Sequence, residues 1–410
     1  MGNSEYEDLS VFNALKQIDS KKIEKFLKHI NEKYQFGFNK DFLLRTCLVL
    51  VNDGKSGISM QELAKTKTIE NIRANWDAIK KTIEKCSAIM KNIDLDDEKI
   101  LSYNAIIPIM FYLYKGGKIH DYLEREELRK YFAISFAKGL FGGSSNTAIT
   151  NTCSSIKDNF NNKFSIEYFA KTEFSGGRNF HVDIQLINKW IETYNKGAKT
   201  YFILMLLSPN LNLLEDKFDQ DHSHAYTLFN DSTLKENNVP ETRIGLWKEK
   251  RNHLPNLSFM QESRNRSKNK TDLTTWIKDN PDKVSSLKLL PADTSYDLAN
   301  FEHFYMLRRS MMKYVLTSLF GVGKEKINIG DEVTINTSIQ KGEFGNTQNM
   351  TSGMHGHVTK LQGSSSVNGK EMIPTAFVEF ENDNGTLFSD YVPIQFLYLV
   401  EPFDKELEIS

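Results

Sequence analysis

Residues 216–272 hold the side chains whose types and spacing could do chemistry. Asp221-His222-Ser223-His224 is followed by Leu254-Pro255-Asn256-Leu257, and then by Ser263-Arg264-Asn265-Arg266-Ser267-Lys268. Cutting a phosphodiester needs a water stripped of its proton, a developing charge neutralised and a leaving oxygen stabilised. A neutral histidine suits the first task, because its ordinary pKa is about 6.5. A divalent cation held by oxygen ligands suits the other two. Asp221 and His222 are adjacent, so on an extended strand their side chains diverge to opposite faces. The aspartate can then face a metal while the histidine faces substrate, provided the backbone bends locally. Asn265 offers a second hard oxygen from a short helix expected to start near Glu262, and such ligands suit Mg²⁺ or Mn²⁺. The stretch reads as a one-metal phosphodiester-cleaving site.

Gln220-Asp221-His222, Pro255-Asn256-Leu257-Ser258-Phe259-Met260 and Arg264-Asn265-Arg266-Ser267-Lys268 together resemble the signature of HNH (ββα-metal) endonucleases. The likeness is to the zinc-free version of RNA-guided CRISPR nucleases and GmrSD-type restriction endonucleases. Its most specific features are the spacing of nine between Asn256 and Asn265 and the trailing Asn265-Arg266-Ser267-Lys268. The resemblance implies that His222 is the general base, that Asp221 and Asn265 are the metal ligands, and that Asn256 braces the loop carrying His222. It also implies that residues 224–252 are a long insertion between two β arms. Upstream, Phe42-Leu43-Leu44-Arg45-Thr46-Cys47-Leu48, Ala74-Asn75-Trp76 and Leu101-Ser102-Tyr103-Asn104-Ala105-Ile106-Ile107-Pro108 resemble the helical part of GmrSD-like proteins. The likeness then runs from around Ser10 to around Asn280.

Two departures stand out. The family usually has an apolar pair and then a proline after the histidine, where this sequence has Ser223 and Ala225 at the first and third positions. The family's amino-terminal domain, to which nucleotide use is attributed, has no counterpart here. The chain is then naturally short, a piece of a longer one, or served by a protein partner that supplies sensing or nucleotide hydrolysis.

The charge pattern bears on substrate. The net charge is −1 over 410 residues, so any nucleic-acid footprint must be local. Arg264, Arg266, Lys268 and Lys270, with Lys248, Lys250 and Arg251, form such a concentration beside the proposed metal site. Phosphate contact is the expected role of this group. His224 reads as solvent-facing or structural, His253 as a loop residue, and His355 with His357 as a histidine pair short of further ligands.

These residues must be positioned by the rest of the chain. A composition of 40% hydrophobic and 26% charged residues is that of a globular protein, and the length allows two to four domains. Cys47, Cys86 and Cys153 are far apart in sequence, so neither a zinc knuckle nor a disulfide framework is supported. The first residues are polar without an apolar signal core, Tyr6 breaks a myristoylation pattern, and residues 201–207 form the longest apolar run. That run is far too short for a bilayer, and a reducing cytoplasm fits best.

Apolar residues at three- and four-residue steps predict helices over residues 8–29, 41–51, 69–90, 102–114, 125–140, 183–194 and 200–207. Pro108 is a candidate kink. Phe141-Gly142-Gly143-Ser144-Ser145-Asn146 reads as a glycine-rich turn between helices, in preference to a phosphate cradle. A further helix is expected over residues 301–320. The Gly321-Val322-Gly323-Lys324 that follows lacks both flanks of a phosphate-binding loop, having Ser318 and Glu325 there. From Ile327 the texture changes to short β runs at residues 331–336, 357–361, 375–380 and 397–400, with an Asn384-Gly385 hairpin turn.

The expected architecture is multi-domain. A mainly α-helical region (1–205) precedes a ββα-metal HNH domain (206–300), a linking helix (301–325) and a small C-terminal β-barrel resembling SH3 or Tudor modules (326–410). The expected function is a metal-dependent DNA endonuclease in restriction or anti-phage defence, using Mg²⁺ or Mn²⁺. The alternative is a catalytically inactive HNH-derived subunit that binds DNA or protein, or an adaptor in a defence complex.

Overall fold

Residues 20–54, 66–142, 145–208, 218–261, 271–281, 287, 289–291, 294–323, 327–335, 338–341, 347–351, 353–362, 365–367, 370–372, 375–381, 386–401 and 403 are described by the computed structural model. The chain divides into two units, Met1–His181 with Asn212–Glu215, and Val182–Leu211 with Asp216–Ser410.

The first unit is helical among its described residues: α1 (Ser20–Tyr34), α2 (Lys40–Val51), α3 (Thr66–Ala74), α4 (Trp76–Asn92), α5 (Ile107–Tyr114), α6 (Tyr122–Ala137) and α7 (Ser145–Asp158). The stripe expected as one helix over residues 69–90 is broken at Asn75, whose side-chain amide turns back to the Asn71 carbonyl at 2.9 Å. Ile72, Ile79, Ile83, Cys86 and Met90 nevertheless stay buried across the break. Pro108 does not kink a helix. It lies in the first turn of α5, where its missing N–H has no intrahelical partner to lose. Asp121 opens α6 with a reciprocal cap, accepting from Glu124 N at 2.8 Å while Glu124 Oε2 accepts from Asp121 N at 3.3 Å. Tyr131 anchors the core, its hydroxyl donating to Ala105 O at 2.8 Å amid Phe132, Phe169 and Phe180. Gly143 and Ser144 of the glycine-rich segment lie outside the described residues.

The second unit begins with α8 (Ile184–Thr193) and α9 (Ala198–Leu206), and continues through β1 (Phe218–His222), α10 (Asp231–Glu236), α11 (Glu241–Lys250) and β2 (Leu257–Gln261). After α12 (Leu273–Asp279) comes α13 (Phe301–Phe320), which ends at Gly321 with φ 63°, a left-handed cap that glycine adopts without strain. Gly321 is thus a helix stop. α13 packs on both sides. Phe301, Phe304 and Tyr305 join Phe229, Trp247, Met260 and Trp276 in one core. Further along, Ser310 Oγ donates to the Leu399 carbonyl beneath the C-terminal sheet.

That sheet is antiparallel and five-stranded, in the order β8-β7-β4-β3-β9. Its strands are β3 (Glu332–Ile335), β4 (His355–Gln362), β7 (Thr375–Glu381), β8 (Leu387–Pro393) and β9 (Leu397–Leu399), while β5 (Ser365–Val367) pairs with β6 (Lys370–Met372) in a separate ladder. Val333, Ile335, Val358, Val378, Phe380 and Val392 fill its core. Glu381 opposes Leu387 across the expected hairpin, whose turn residues lie outside the described set. The expected closure into a barrel does not occur among the described residues. A 3-10 turn at Ile394–Phe396 carries the chain from β8 to the far end of the sheet, where β9 adds to β3. The two outer strands therefore share no ladder.

β4 runs close under β7. A Cβ added at Gly356 would lie 2.3 Å from the Glu379 carbonyl oxygen and 2.9 Å from the Phe380 ring. Gly356→Ala is expected to destabilise the protein by about 1–3 kcal/mol through overpacking. A thermal unfolding midpoint equal to that of the wild type would contradict the packing described.

Candidate functional site

The sequence Phe218-Asp219-Gln220-Asp221-His222 has little intrinsic β preference, and its neighbours hold it extended. It pairs antiparallel with β2, Asp221 opposite Ser258 and His222 opposite Leu257. Gln220 ties the strand to the start of α9, its side chain accepting from Gly197 N at 3.1 Å and donating to Gly197 O at 2.9 Å. On the other arm, Phe259 packs edge-on against Tyr201 of α9 at 5.0 Å. The ladder continues past His222, since Ser223 N donates to Asn256 O at 2.7 Å.

Asn256 is fully buried between the two arms. Its Oδ1 accepts from His224 N at 2.8 Å, and its Nδ2 donates to His224 O at 3.1 Å and Arg251 O at 2.8 Å. One amide therefore fixes the main chain two residues beyond His222 and the end of the insertion at once. The His222 ring lies 3.0 Å from Asn252 Oδ1 through Nε2, and 5.5 Å from the Tyr226 ring between centroids. With Nε2–H donating to Asn252, the lone pair sits on Nδ1. Asp221 is half-buried on the strand.

The two residues after His222 that differ from the expected pattern, Ser223 and Ala225, are both accommodated locally. Ala225 has φ −56° and ψ 131°, the conformation that a proline would impose. Ser223 is fully buried, and its Oγ meets Ser258 Oγ at 3.0 Å. Both hydroxyls face Arg308 of α13. Arg308 donates to Ser223 Oγ at 2.8 Å, Pro255 O at 2.7 Å, Leu257 O at 3.0 Å, Ser258 Oγ at 2.9 Å and Leu289 O at 3.2 Å. Burial pushes its pKa down to about 9, which still leaves it cationic near neutrality.

A second buried network lies alongside. Glu192 of α8 accepts from Lys250 Nζ at 2.8 Å and Arg309 at 3.1 Å, and Tyr305 OH donates to it at 3.3 Å. Lys313 and Arg309 continue the chain of charges to Glu401. His253 Nδ1 lies 3.3 Å from the Tyr305 hydroxyl, and burial first, then the Lys250 charge, pushes its pKa down to about 4.

His222, Asp221 and Asn256 are thus brought together at the β1–β2 arms. Asn265, Arg264, Arg266, Lys268 and Lys270 lie outside the described residues. The remaining basic residues of that group each have a partner within the chain. Lys250 is buried against Glu192, Lys248 pairs with Asp231 at 2.6 Å, and Arg251 stacks 3.8 Å over the Tyr226 ring. The desolvated carboxylate of Glu192, distant in sequence, is what turns Lys250 inward. His224 packs edge-on to Phe301 and Phe304 at 5.4 and 4.6 Å. Sequence reading passes over Asn252, Tyr226 and Arg308. The first two sit in the insertion without a motif, and Arg308 reads as one more charge on a helix.

No protein-family model matches the chain, and no curated protein matches it.

Replacing Arg308 by Met would leave buried carbonyls and hydroxyls without their donor, and Arg308→Met is expected to cost about 3 kcal/mol or more. A urea midpoint within error of the wild type would refute the clamp. For His253 the folded pKa lies below the unfolded one, so the unfolded chain takes up the extra proton as pH falls from about 6.5 to about 4. Its stabilising contribution is complete above that window and is lost towards acid, by roughly 2 kcal/mol between pH 7 and pH 5. Unfolding of His253→Gln over that range should show a correspondingly shallower pH dependence, and an unchanged slope would rule this out.

Proposed function

We propose that β1 and β2 form the ββ part of an HNH (ββα-metal) site, and that the protein is a metal-dependent DNA endonuclease acting in restriction or anti-phage defence. Asn256 carries the reading: it bonds both backbone groups of His224 and so holds the His222 strand end against the start of β2. That is the bracing role the HNH resemblance assigns to this asparagine.

In this reading His222 takes the proton of the attacking water on Nδ1, while Asn252 fixes the ring by accepting from Nε2–H. Asp221 offers a hard oxygen at a half-buried strand position, which suits Mg²⁺ or Mn²⁺, ions that keep several waters and take one or two carboxylates. Asn265 is the expected second ligand. A bound ion would supply charge neutralisation at the phosphate and at the leaving oxygen. Arg264, Arg266, Lys268 and Lys270 would contact the DNA backbone, and a protein partner would supply sensing or nucleotide hydrolysis.

The C-terminal sheet is read as SH3-like. A four-strand meander, a 3-10 turn and a last strand returning beside the first support that reading. No helix among the described residues is long and apolar enough to cross a membrane. Cys47, Cys86 and Cys153 are buried free thiols whose pKa values burial raises, in keeping with a reducing cytoplasm and against a thiol nucleophile.

Purified protein should nick or cut plasmid in Mg²⁺ or Mn²⁺. His222→Ala should lower the rate by about 10²–10⁴-fold, the usual worth of a general base. Asn252→Ala should lower kcat more than it changes KM. If His222→Ala cuts normally, or chelation has no effect, the assignment is wrong. DNA binding without cleavage in either form would identify the inactive HNH-derived subunit instead.

A further inference from the structure

Away from the His222 arms, three potential ligands from three elements converge where α13 meets the C-terminal sheet. They are His303 in the first turn of α13, Glu332 at the start of β3 and His355 at the start of β4. One ligand atom from each lies within 4.8 Å of the others. The two imidazole rings meet edge to face, with centroids 4.5 Å apart and planes at 79°. His303 Nε2 and His355 Nδ1 are both shielded from solvent and have no hydrogen-bond partner. Two buried nitrogens left unsatisfied beside a carboxylate carry a desolvation cost that a cation would remove.

The donor set selects the cation. Two imidazoles and one carboxylate suit Zn²⁺, whereas Mg²⁺ and Ca²⁺ favour all-oxygen shells. Both histidines are held below their ordinary pKa, His303 by burial and then by the neighbouring His355, and His355 by burial and then by His357. His357 shares the strand face of His355 and opposes Glu332, yet it is exposed and outside the cluster. An open groove lined by Asn237, Arg243, Trp247 and Glu302 also takes in His303 and Glu332. Through that groove, water or a donor from a solute could supply a fourth ligand to an ion held there.

We propose that His303, Glu332 and His355 bind one Zn²⁺ ion, which staples α13 to β3 and β4 and keeps its remaining position towards the groove. This site is independent of the nuclease reading, because its ligands and its preferred metal both differ from those proposed around Asp221.

The test loads metal-free full-length chain with Zn²⁺ alone, dialyses it and measures bound metal. Wild type and Asp221→Asn should each retain one Zn²⁺ per chain, and Zn²⁺ should raise the melting temperature of both. His303→Gln, Glu332→Gln and His355→Gln should each bind at least roughly tenfold more weakly and lose the thermal shift. Should these variants fail to fold, X-ray absorption on Zn²⁺-loaded wild type decides, with two imidazole ligands expected. A wild type that retains no Zn²⁺, equal affinity in a folded variant, an all-oxygen shell, or loss of Zn²⁺ in Asp221→Asn would each overturn the proposal.

Discussion

A guanidinium has five N–H donors in a rigid fork, and once it is buried each needs an acceptor or its desolvation goes uncompensated. Arg308 meets this constraint with two serine hydroxyls and three backbone carbonyls, drawn from the end of β1, the turn before β2, the start of β2 and Leu289. The other contacts at the arms follow from it. With Ser223 and Ser258 pinned, Asp221 and His222 are held in register opposite Ser258 and Leu257, and Asn256 reaches the main chain of His224. The same constraint accounts for the serine at position 223. A valine or isoleucine at position 223 would leave one N–H of the fork facing hydrocarbon.

Buried charge recurs at the next residue. Lys250, Glu192, Arg309, Glu401 and Lys313 alternate in sign, and each carboxylate lies between two cations. Such a network adds little stability over an apolar core of the same shape, but breaking it leaves a naked charge inside the protein. Its physical consequence is therefore positional. It admits one arrangement of α8, α11, α13 and the segment after β9. The insertion between the β arms is tied down in the same way, since Arg243 grips Glu302 through two bonds of 2.8 Å and Trp247 donates to the same carboxylate at 2.6 Å.

What the sequence made legible follows from which interactions are local. Helix α13 was readable to its ends, because its apolar spacing and the Gly321 stop are local signals. The pairing of β1 with β2 was expected only from a resemblance, since their own composition, Phe-Asp-Gln-Asp-His above all, argues against a strand. The break at Asn75 was not readable, because it depends on one side chain turning back on its own helix while the apolar stripe runs on. The open sheet was equally hidden. Strand rhythm locates four β runs and one hairpin, but closure depends on where the turn after β8 sends the chain. The partners of Lys250 and His355 lie 58 and 52 residues away, at Glu192 and His303, so spacing along the chain could reveal neither.

α13 shows why charge on a helix is a poor guide to its surroundings. His303, Arg308, Arg309 and Lys313 look like the polar side of a connecting helix. In the folded chain Arg308 and Arg309 are 1% and 2% exposed, and Lys313 is also buried. Because Arg308, Arg309 and Lys313 need specific acceptors, each dictates what packs against it: Arg308 the β arms, Arg309 and Lys313 the Glu401 segment. An apolar helix of the same length could slide or rotate against both neighbours at small cost, since hydrophobic contact is non-directional. The polar residues remove that freedom. The helix that looks like a connector is therefore the element that sets the register of the second unit, and the geometry around His222 is inherited from it.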